Sequence, residues 1–190
     1  MNVLVVDNGS VHARKIGELF TDATVTYKTH DDPTLHVTDP SDIVVLSGGS
    51  TMPVYGSGAY YRNELELIKN HGGPIIGICL GFELIANAFK SQLLVRDERR
   101  LGTRTIIATA SGFGIMLVNR AEVYEAHRWY VPDVPSPLVA LATSESGVEM
   151  VMHESKPIYG MQFHPEVSDG NDGQRIFNGI IAHIERTRQA

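Results

Sequence analysis

The chain has 190 residues, 43% of them hydrophobic and 20% charged, which fits a single domain over residues 1–190 that buries roughly two-thirds of its unfolded surface. Sixteen Lys and Arg against 22 Asp and Glu give a net charge of −6 without a basic patch, which argues against nucleic-acid binding. No apolar stretch reaches the roughly 20 residues of a membrane span, and a single cysteine excludes disulfides and two-thiolate zinc sites, so we expect a cytoplasmic protein without metal or cofactor.

The first half of the chain alternates short apolar runs with amphipathic segments. Continuous apolar runs predict buried strands at residues 2–6, 43–47 and 75–79, and a run rich in β-branched residues predicts a further strand at 24–27. Apolar residues at helical spacing predict helices at residues 11–20, 60–71 and 80–89. This alternation is typical of an α/β fold, with a mostly parallel central sheet covered by helices on both faces.

After about residue 92 the pattern changes to short strand-like segments separated by Gly, Pro or Asn turns. These segments are residues 93–95, 104–109, 115–118, 122–124, 138–143, 148–153 and 158–163. We therefore predict an additional, more antiparallel strand region in the C-terminal half, followed by an amphipathic helix over residues 173–188. Residues 31–42 and 132–137 are rich in turn formers and are predicted loops. The charge run RDERR at 96–100 is expected to be a solvated face.

The sequence GICLG at residues 77–81 lies where a buried strand turns into a helix. A nucleophile between two glycines fits a strained turn that exposes its side chain. The N-terminus of the following helix would also lower the pKa of a thiol. Cys79 is therefore a candidate nucleophile; the alternative is a small apolar residue packed at the end of a strand.

The sequence QFHPE at residues 162–166 follows the last predicted strand. A cysteine nucleophile needs a base, and an imidazole base needs an acceptor on its other nitrogen. His164 and Glu166 are two residues apart, so in extended chain they project to the same side. The alternatives are a structural histidine beside a solvated glutamate, and the H-x-E signature of zinc deaminases. The second fails because its C-x-x-C partner needs two cysteines.

A third feature is SGGS at residues 47–50, directly after a buried strand. Glycines at positions 48 and 49 let the backbone approach a ligand closely. A backbone N–H there, paired with that of Leu80, would suit an oxyanion. The alternative is an ordinary loop.

Taken together, these motifs resemble the class I (triad) glutamine amidotransferase family. The matching segments, in the family's order, are VVDNGS at 5–10, LSGGS at 46–50, PIIGICLGFELIA at 74–86 and KPIYGMQFHPEV at 156–167. Within the family, VYEAHRWYV at 123–131 is most similar to the separate glutaminase subunits of GMP synthetases. The resemblance covers nearly the whole chain.

The resemblance implies a Cys-His-Glu triad that hydrolyses the side-chain amide of glutamine through a thioester. Cys79 would attack, His164 would act as base and acid, and Glu166 would orient His164. Backbone N–H groups near Gly49 and of Leu80 would hold the oxyanion. The ammonia would pass to a separate synthetase, because we find no phosphate-binding loop in this sequence. The expected partner is a GMP synthetase subunit of the ATP-pyrophosphatase type, and the alternative is an anthranilate- or aminodeoxychorismate-type synthase.

The pocket departs from the family pattern. The resemblance places Gly48, Glu83 and His127 at the substrate, but Glu83 stands where the family has Gln. An ionised carboxylate cannot donate hydrogen bonds, and it would repel the α-carboxylate of glutamine or attract an ammonium. His127 has a structural alternative, an exposed histidine. Two further hypotheses therefore stay open: a stand-alone hydrolase of γ-glutamyl or other amides, and a non-catalytic regulatory homologue.

Overall fold

The computed structural model describes residues 1–112 and 119–188, and the predicted strand at 115–118 lies outside them. The strands within this part are β1 (Asn2–Asp7), β2 (Thr24–Thr29), β3 (Ile43–Leu46), β4 (Ile75–Ile78), β5 (Leu94–Ala108), β6 (Arg120–Tyr130), β7 (Leu138–Ser144), β8 (Gly147–His153) and β9 (Ile158–Met161). The helices are α1 (Ala13–Glu18), α2 (Arg62–Asn70), α3 (Leu80–Ala88) and α4 (Gly173–Arg188). None of these helices has the length and apolar character needed to cross a bilayer.

One sheet joins all nine strands in the order β2-β1-β3-β4-β9-β8-β7-β5-β6. The first five strands of this order pair in parallel, and every later pairing is antiparallel. The predicted fold class, a mostly parallel α/β sheet with a more antiparallel C-terminal region, is confirmed. The predicted loops at residues 31–42 and 132–137 contain neither helix nor strand.

Helices cover both faces of the parallel strands, as predicted. On one face, alternate residues of β1 and β3 pack with α1 and with Ile176 and Ile180 of α4. On the other face, the intervening residues pack with Leu67 of α2 and Ile85 of α3. Burial of both strand faces explains why these strands appear in the sequence as continuous apolar runs.

The antiparallel region departs from the prediction in two strands. Strand β6 extends well beyond the predicted residues 122–124. Residues 94–95 and 104–108 belong to a single strand, β5, which runs through the charge run at 96–100 and carries an irregularity opposite β6. Residues 97–99 of that run are exposed, as expected, but Arg96 and Arg100 are only partly exposed, and Arg100 pairs with buried Glu125. The prediction of a solvated charge run is therefore wrong at these two arginines.

The topology brings three predicted motifs to the same edge of the sheet. Strands β3, β4 and β9 are parallel neighbours, so the residues that follow their C-terminal ends lie side by side. These residues are the 47–49 loop, Cys79 and the 162–166 segment. The carboxyl edge of an open α/β sheet is the usual place for a ligand site.

Candidate active site

Cys79 occupies a strained turn between β4 and α3. Its φ is 52° and its ψ is −102°, a conformation that non-glycine residues rarely adopt. Its N–H donates to the Met161 carbonyl at 2.8 Å, which fixes the turn to the neighbouring strand β9. The glycine at 81 is required here, because a Cβ on it would lie 2.2 Å from the Leu46 carbonyl oxygen.

His164 and Glu166 form a buried pair beside this turn. The His164 N–H donates to the Tyr124 carbonyl at 2.8 Å, and its Nδ1 lies 2.8 Å from Oε1 of Glu166. Because an ionised carboxylate only accepts, Nδ1 carries the proton of this bond. Cys79 and the His164 ring both border Gly48. The three residues that the sequence singled out thus lie close together.

The electrostatics of this group favour an imidazolium. Burial lowers the pKa of His164, but the charge of Cys79 and hydrogen bonds with Cys79 and Glu166 outweigh it and raise the pKa to about 10. A protonated imidazole beside a thiol is the environment that stabilises a thiolate. The arrangement can therefore supply a sulfur nucleophile together with a proton donor for a leaving group.

The glycine loop after β3 lies against both catalytic candidates. A Cβ on Gly48 would stand 3.0 Å from Cε1 of His164 and 3.5 Å from Cβ of Cys79. Gly49 and Leu80 line the same cavity as Cys79. Leu80 is the first residue of α3, where backbone N–H groups have no partner within the helix. The predicted oxyanion donors are thus close to the candidate nucleophile.

These residues open onto a cavity of about 690 Å³, large enough for a small ligand. Its lining includes Gly49, Cys79, Glu83, His127 and His164, so the predicted pocket residues lie together. Gly48 is beneath this surface, between the loop and the catalytic candidates. A sulfur nucleophile at the wall of a cavity of this size suits an amino-acid-sized substrate.

Glu83 is buried in α3, one turn beyond the nucleophile. Burial raises its pKa to about 7, although a hydrogen bond from Gln162 and the charge of His127 act in the opposite direction. Nε2 of Gln162 lies 3.2 Å from Oε1 of Glu83 and 4.0 Å from Sγ of Cys79. The Gln162 amide therefore connects the unusual carboxylate to the candidate nucleophile.

His127 is buried rather than exposed, so the alternative of an exposed histidine is wrong. Together with Glu125 and Glu149 it forms a cluster of potential metal ligands within 4.8 Å of one another. However, Nε of Arg100 lies 2.7 Å from Oε2 of Glu125, the same oxygen that faces Nε2 of His127 at 3.3 Å. The guanidinium already supplies a cation here, so the cluster does not fit a metal ion well.

Two residues near the nucleophile were not assigned a role from the sequence. Gln162 appeared only as part of its motif, and its contact with Glu83 depends on how β9 packs against α3. His12 lines the cavity, with its ring centre 6.1 Å from that of His164. Its pKa is lowered, mainly by burial. The sequence could have pointed to His12, because this residue comes shortly after the DNG segment at the C-terminal end of β1.

Comparisons with a family model and with known proteins point to the same family. The family model described as "Glutamine amidotransferase class-I" matches residues 4–183. A glutamine-hydrolysing GMP synthase subunit from Methanopyrus kandleri is 32% identical over 189 residues, which cover 94% of this chain and 96% of that protein. Its namesake from Methanothermobacter thermautotrophicus is 33% identical over 144 residues, which cover 75% and 74% of the two chains.

Solved structures agree with this comparison. A candidate GMP synthase subunit from Thermoplasma acidophilum superposes with a TM-score of 0.82 at 28% identity, covering 100% of this chain and 96% of that one. A glutamine amidotransferase from Thermotoga maritima superposes with a TM-score of 0.72 at 18% identity, covering 100% and 84%. The second likeness shows a shared fold alone.

Proposed function

The chain belongs to the class I glutamine amidotransferase family, and on that premise we propose that it is the glutamine-hydrolysing subunit of a two-subunit GMP synthetase. The observation that carries this proposal is that Cys79, at a strained strand–helix turn, lies close to the His164–Glu166 pair, with Cys79 and His164 lining one substrate-sized cavity. The reaction that would use the ammonia, GMP synthesis, is proposed from the names of the relatives.

In the first half of the proposed reaction, the Cys79 thiolate attacks the side-chain carbonyl carbon of glutamine. A carbon–sulfur bond forms, and the carbonyl oxygen becomes an oxyanion that the N–H groups of Gly49 and Leu80 stabilise. When the oxyanion collapses, the carbon–nitrogen bond breaks and His164 donates its proton to the leaving nitrogen, which departs as ammonia. The γ-glutamyl group stays on the sulfur as a thioester.

In the second half, water attacks the thioester and His164 accepts a proton from it. The carbon–sulfur bond breaks, glutamate leaves, and the thiolate and imidazolium return to their starting state. Glu166 acts throughout as a positioning residue, because its hydrogen bond to Nδ1 directs the other nitrogen of the imidazole toward the sulfur. The reaction consumes one glutamine and one water and releases one glutamate and one ammonia.

The proposed partner is a synthetase of the ATP-pyrophosphatase type that uses the ammonia to form GMP. Three apolar side chains at the cavity, Val11, Val95 and Leu101, are more than half exposed. Exposed apolar residues grouped around a pocket are typical of a protein interaction site. A partner seated there would cover the cavity and receive ammonia without loss to solvent.

The alternatives are less well supported. The curated relatives compared above are named as glutamine-hydrolysing subunits of GMP synthase, which does not favour a stand-alone hydrolase. A non-catalytic role is not favoured either, because the candidate nucleophile and base lie close together and Glu83 does not fill the cavity.

The test is a glutamine hydrolysis assay of the purified chain, alone and with the synthetase encoded in the same genome. We expect glutamate and ammonia in equal amounts, and GMP formation with glutamine as nitrogen donor only when both chains are present. Rapid release of amines from other γ-glutamyl substrates, unaffected by the synthetase, would instead support the stand-alone hydrolase.

A further inference from the structure

A carboxylate outside the proposed triad is buried on the opposite side of the glycine loop. Glu64 lies in the first turn of α2 with no exposed surface. Its Oε1 accepts a hydrogen bond from Nδ2 of Asn8 at 2.9 Å, and its Oε2 has no partner among the described residues. Burying a carboxylate with a single neutral hydrogen-bond partner costs free energy, so packing alone does not explain why Glu64 is here.

Asn8 connects Glu64 to the loop that follows β3. Its backbone N–H donates to Oγ of Ser47 at 2.9 Å, and its Nδ2 also donates to the Ser47 carbonyl at 3.1 Å. Oγ of Ser47 in turn donates to the Gly48 carbonyl at 2.8 Å. An amide nitrogen has two hydrogens, so Nδ2 needs two acceptors, and Glu64 is the second.

The same loop is fixed tightly against Asn8 and the catalytic candidates. A Cβ on Gly49 would lie 2.3 Å from the Asn8 carbonyl oxygen, so the two backbones are in direct contact. On the other side, a Cβ on Gly48 would lie 3.0 Å from the His164 ring. Any rotation of Asn8 would therefore shift the N–H groups of residues 48 and 49. Shifts of about 1 Å can cost a hundredfold in rate.

We propose that Glu64 is a positioning residue for the oxyanion donors: through Asn8 it holds the 47–49 loop where its N–H groups meet the developing oxyanion. This inference rests on the proposed glutaminase function, because an oxyanion forms only when the sulfur attacks a carbonyl carbon. Glu64 touches neither substrate nor the reacting atoms. Its effect is transmitted by the two hydrogen bonds of Nδ2.

The deciding variant is Glu64→Met, which keeps the volume of the side chain and removes the acceptor. Removing the buried carboxyl relieves its desolvation cost, but it leaves one hydrogen of Asn8 Nδ2 without an acceptor. These effects oppose each other, so the variant should fold and melt within about 5 °C of wild type. We expect kcat for glutamine hydrolysis to fall about tenfold to a hundredfold while KM changes less than about threefold, because the lost contact acts in the transition state.

Two further variants, a conservative replacement and a control, test the interpretation of this result. Glu64→Gln keeps an oxygen that accepts from Asn8, so its kcat should stay within about threefold of wild type. Glu66→Met, an exposed position on the same helix, is the matched control and should leave kcat unchanged. A Glu64→Met enzyme with kcat within about twofold of wild type, or a Glu64→Gln enzyme as impaired as Glu64→Met, would overturn the proposal.

Alkylation of Cys79 by iodoacetamide separates positioning from general damage. This displacement at a saturated carbon forms no oxyanion, so its rate should be the same in Glu64→Met and wild type. An equal loss of alkylation and hydrolysis would mean that Glu64 supports the whole site, and the proposal would fail. If wild type itself does not hydrolyse glutamine, the proposed function fails first, and this inference falls with it.

Discussion

Glu83 stands where the resemblance to the family predicts a glutamine, and its environment makes its charge dependent on pH. Burial raises the pKa of this carboxyl to about 7, so it is largely neutral at pH 6 and largely ionised at pH 8. The carboxyl lines the cavity next to Cys79 and accepts from Gln162. The protonation state of Glu83 therefore determines whether the substrate faces a neutral or a negatively charged side chain.

We predict that Glu83→Gln lowers KM for glutamine at pH 8 by roughly tenfold, since the substituted amide no longer repels the α-carboxylate of the substrate. At pH 6, where the wild-type carboxyl is protonated, the two enzymes should have similar KM values. Steady-state assays across this range provide the measurement. A higher KM for Glu83→Gln at pH 8 would mean that Glu83 binds the ammonium of the substrate instead.

Sequence reasoning located the proposed triad because each of its residues sits in a short, contiguous motif. GICLG marks the turn at Cys79, and FHPE contains both His164 and its carboxylate partner. The contacts of Glu83 with Gln162 and of Glu125 with Arg100 could not be predicted from the sequence. They join segments 79 and 25 positions apart in the chain, and the second depends on a register shift between β5 and β6.

At the scale of secondary structure, the close packing of α3 on β3 holds the nucleophile turn in place. The first turn of α3 touches the β3 backbone at Leu46, and this approach is possible only without a side chain at position 81. The same packing directs the N-terminus of α3 at the cavity. Displacement of α3 would therefore move both the sulfur and the Leu80 N–H.

We predict that Gly81→Ala destabilises the protein by about 2 kcal/mol or more, because the added Cβ would meet backbone rather than a flexible side chain. Glutamine hydrolysis should fall with it, even at temperatures where the variant is folded. Urea denaturation gives the free energy of unfolding. Gly72→Ala, whose Cβ would meet nothing within 4 Å, is the control. Equal stability of the two variants would contradict this account of the turn.

Most elements were predictable because their burial is regular. The strands β1, β3 and β4, buried on both faces, appear as continuous apolar runs, and α4 was predicted with its observed limits. The sequence predicts two strands in place of β5 because its central residues are mostly charged and largely exposed. The polar residues there do not resemble a strand locally. The strand is stabilised by pairing with β6, and this pairing cannot be inferred from a short stretch of sequence.

At the scale of the whole molecule, three buried carboxyl groups make stability depend on pH. Burial raises the pKa of Glu64, Glu83 and Glu149 from 4.5 to about 7. Between these values the folded chain binds more protons than the unfolded chain, so each group reduces stability as pH rises from about 4.5 to 7. His164, with a pKa raised from 6.5 to about 10, extends this decline toward higher pH.

We predict that Glu149→Gln is more stable than wild type at pH 8 by at most about 3 kcal/mol, and no more stable at pH 4.5, where the wild-type carboxyl is already protonated in the folded state and half protonated in the unfolded one. The substituted amide oxygen can still accept from Oγ of Ser144. Denaturant unfolding at the two pH values measures the difference. A stability gain of the same size at both values would show that the charge of Glu149 is not its cause.

The central claim is that the Cys79 sulfur attacks the side-chain carbonyl of glutamine. The most direct measurement is intact-protein mass spectrometry after treatment with a diazo-ketone analogue of glutamine. Because the chain has one cysteine, we expect one adduct per chain on Cys79, prevented by excess glutamine and absent in Cys79→Ala. Failure of the folded wild-type protein to form this adduct, or equal labelling of the alanine variant, would contradict the account.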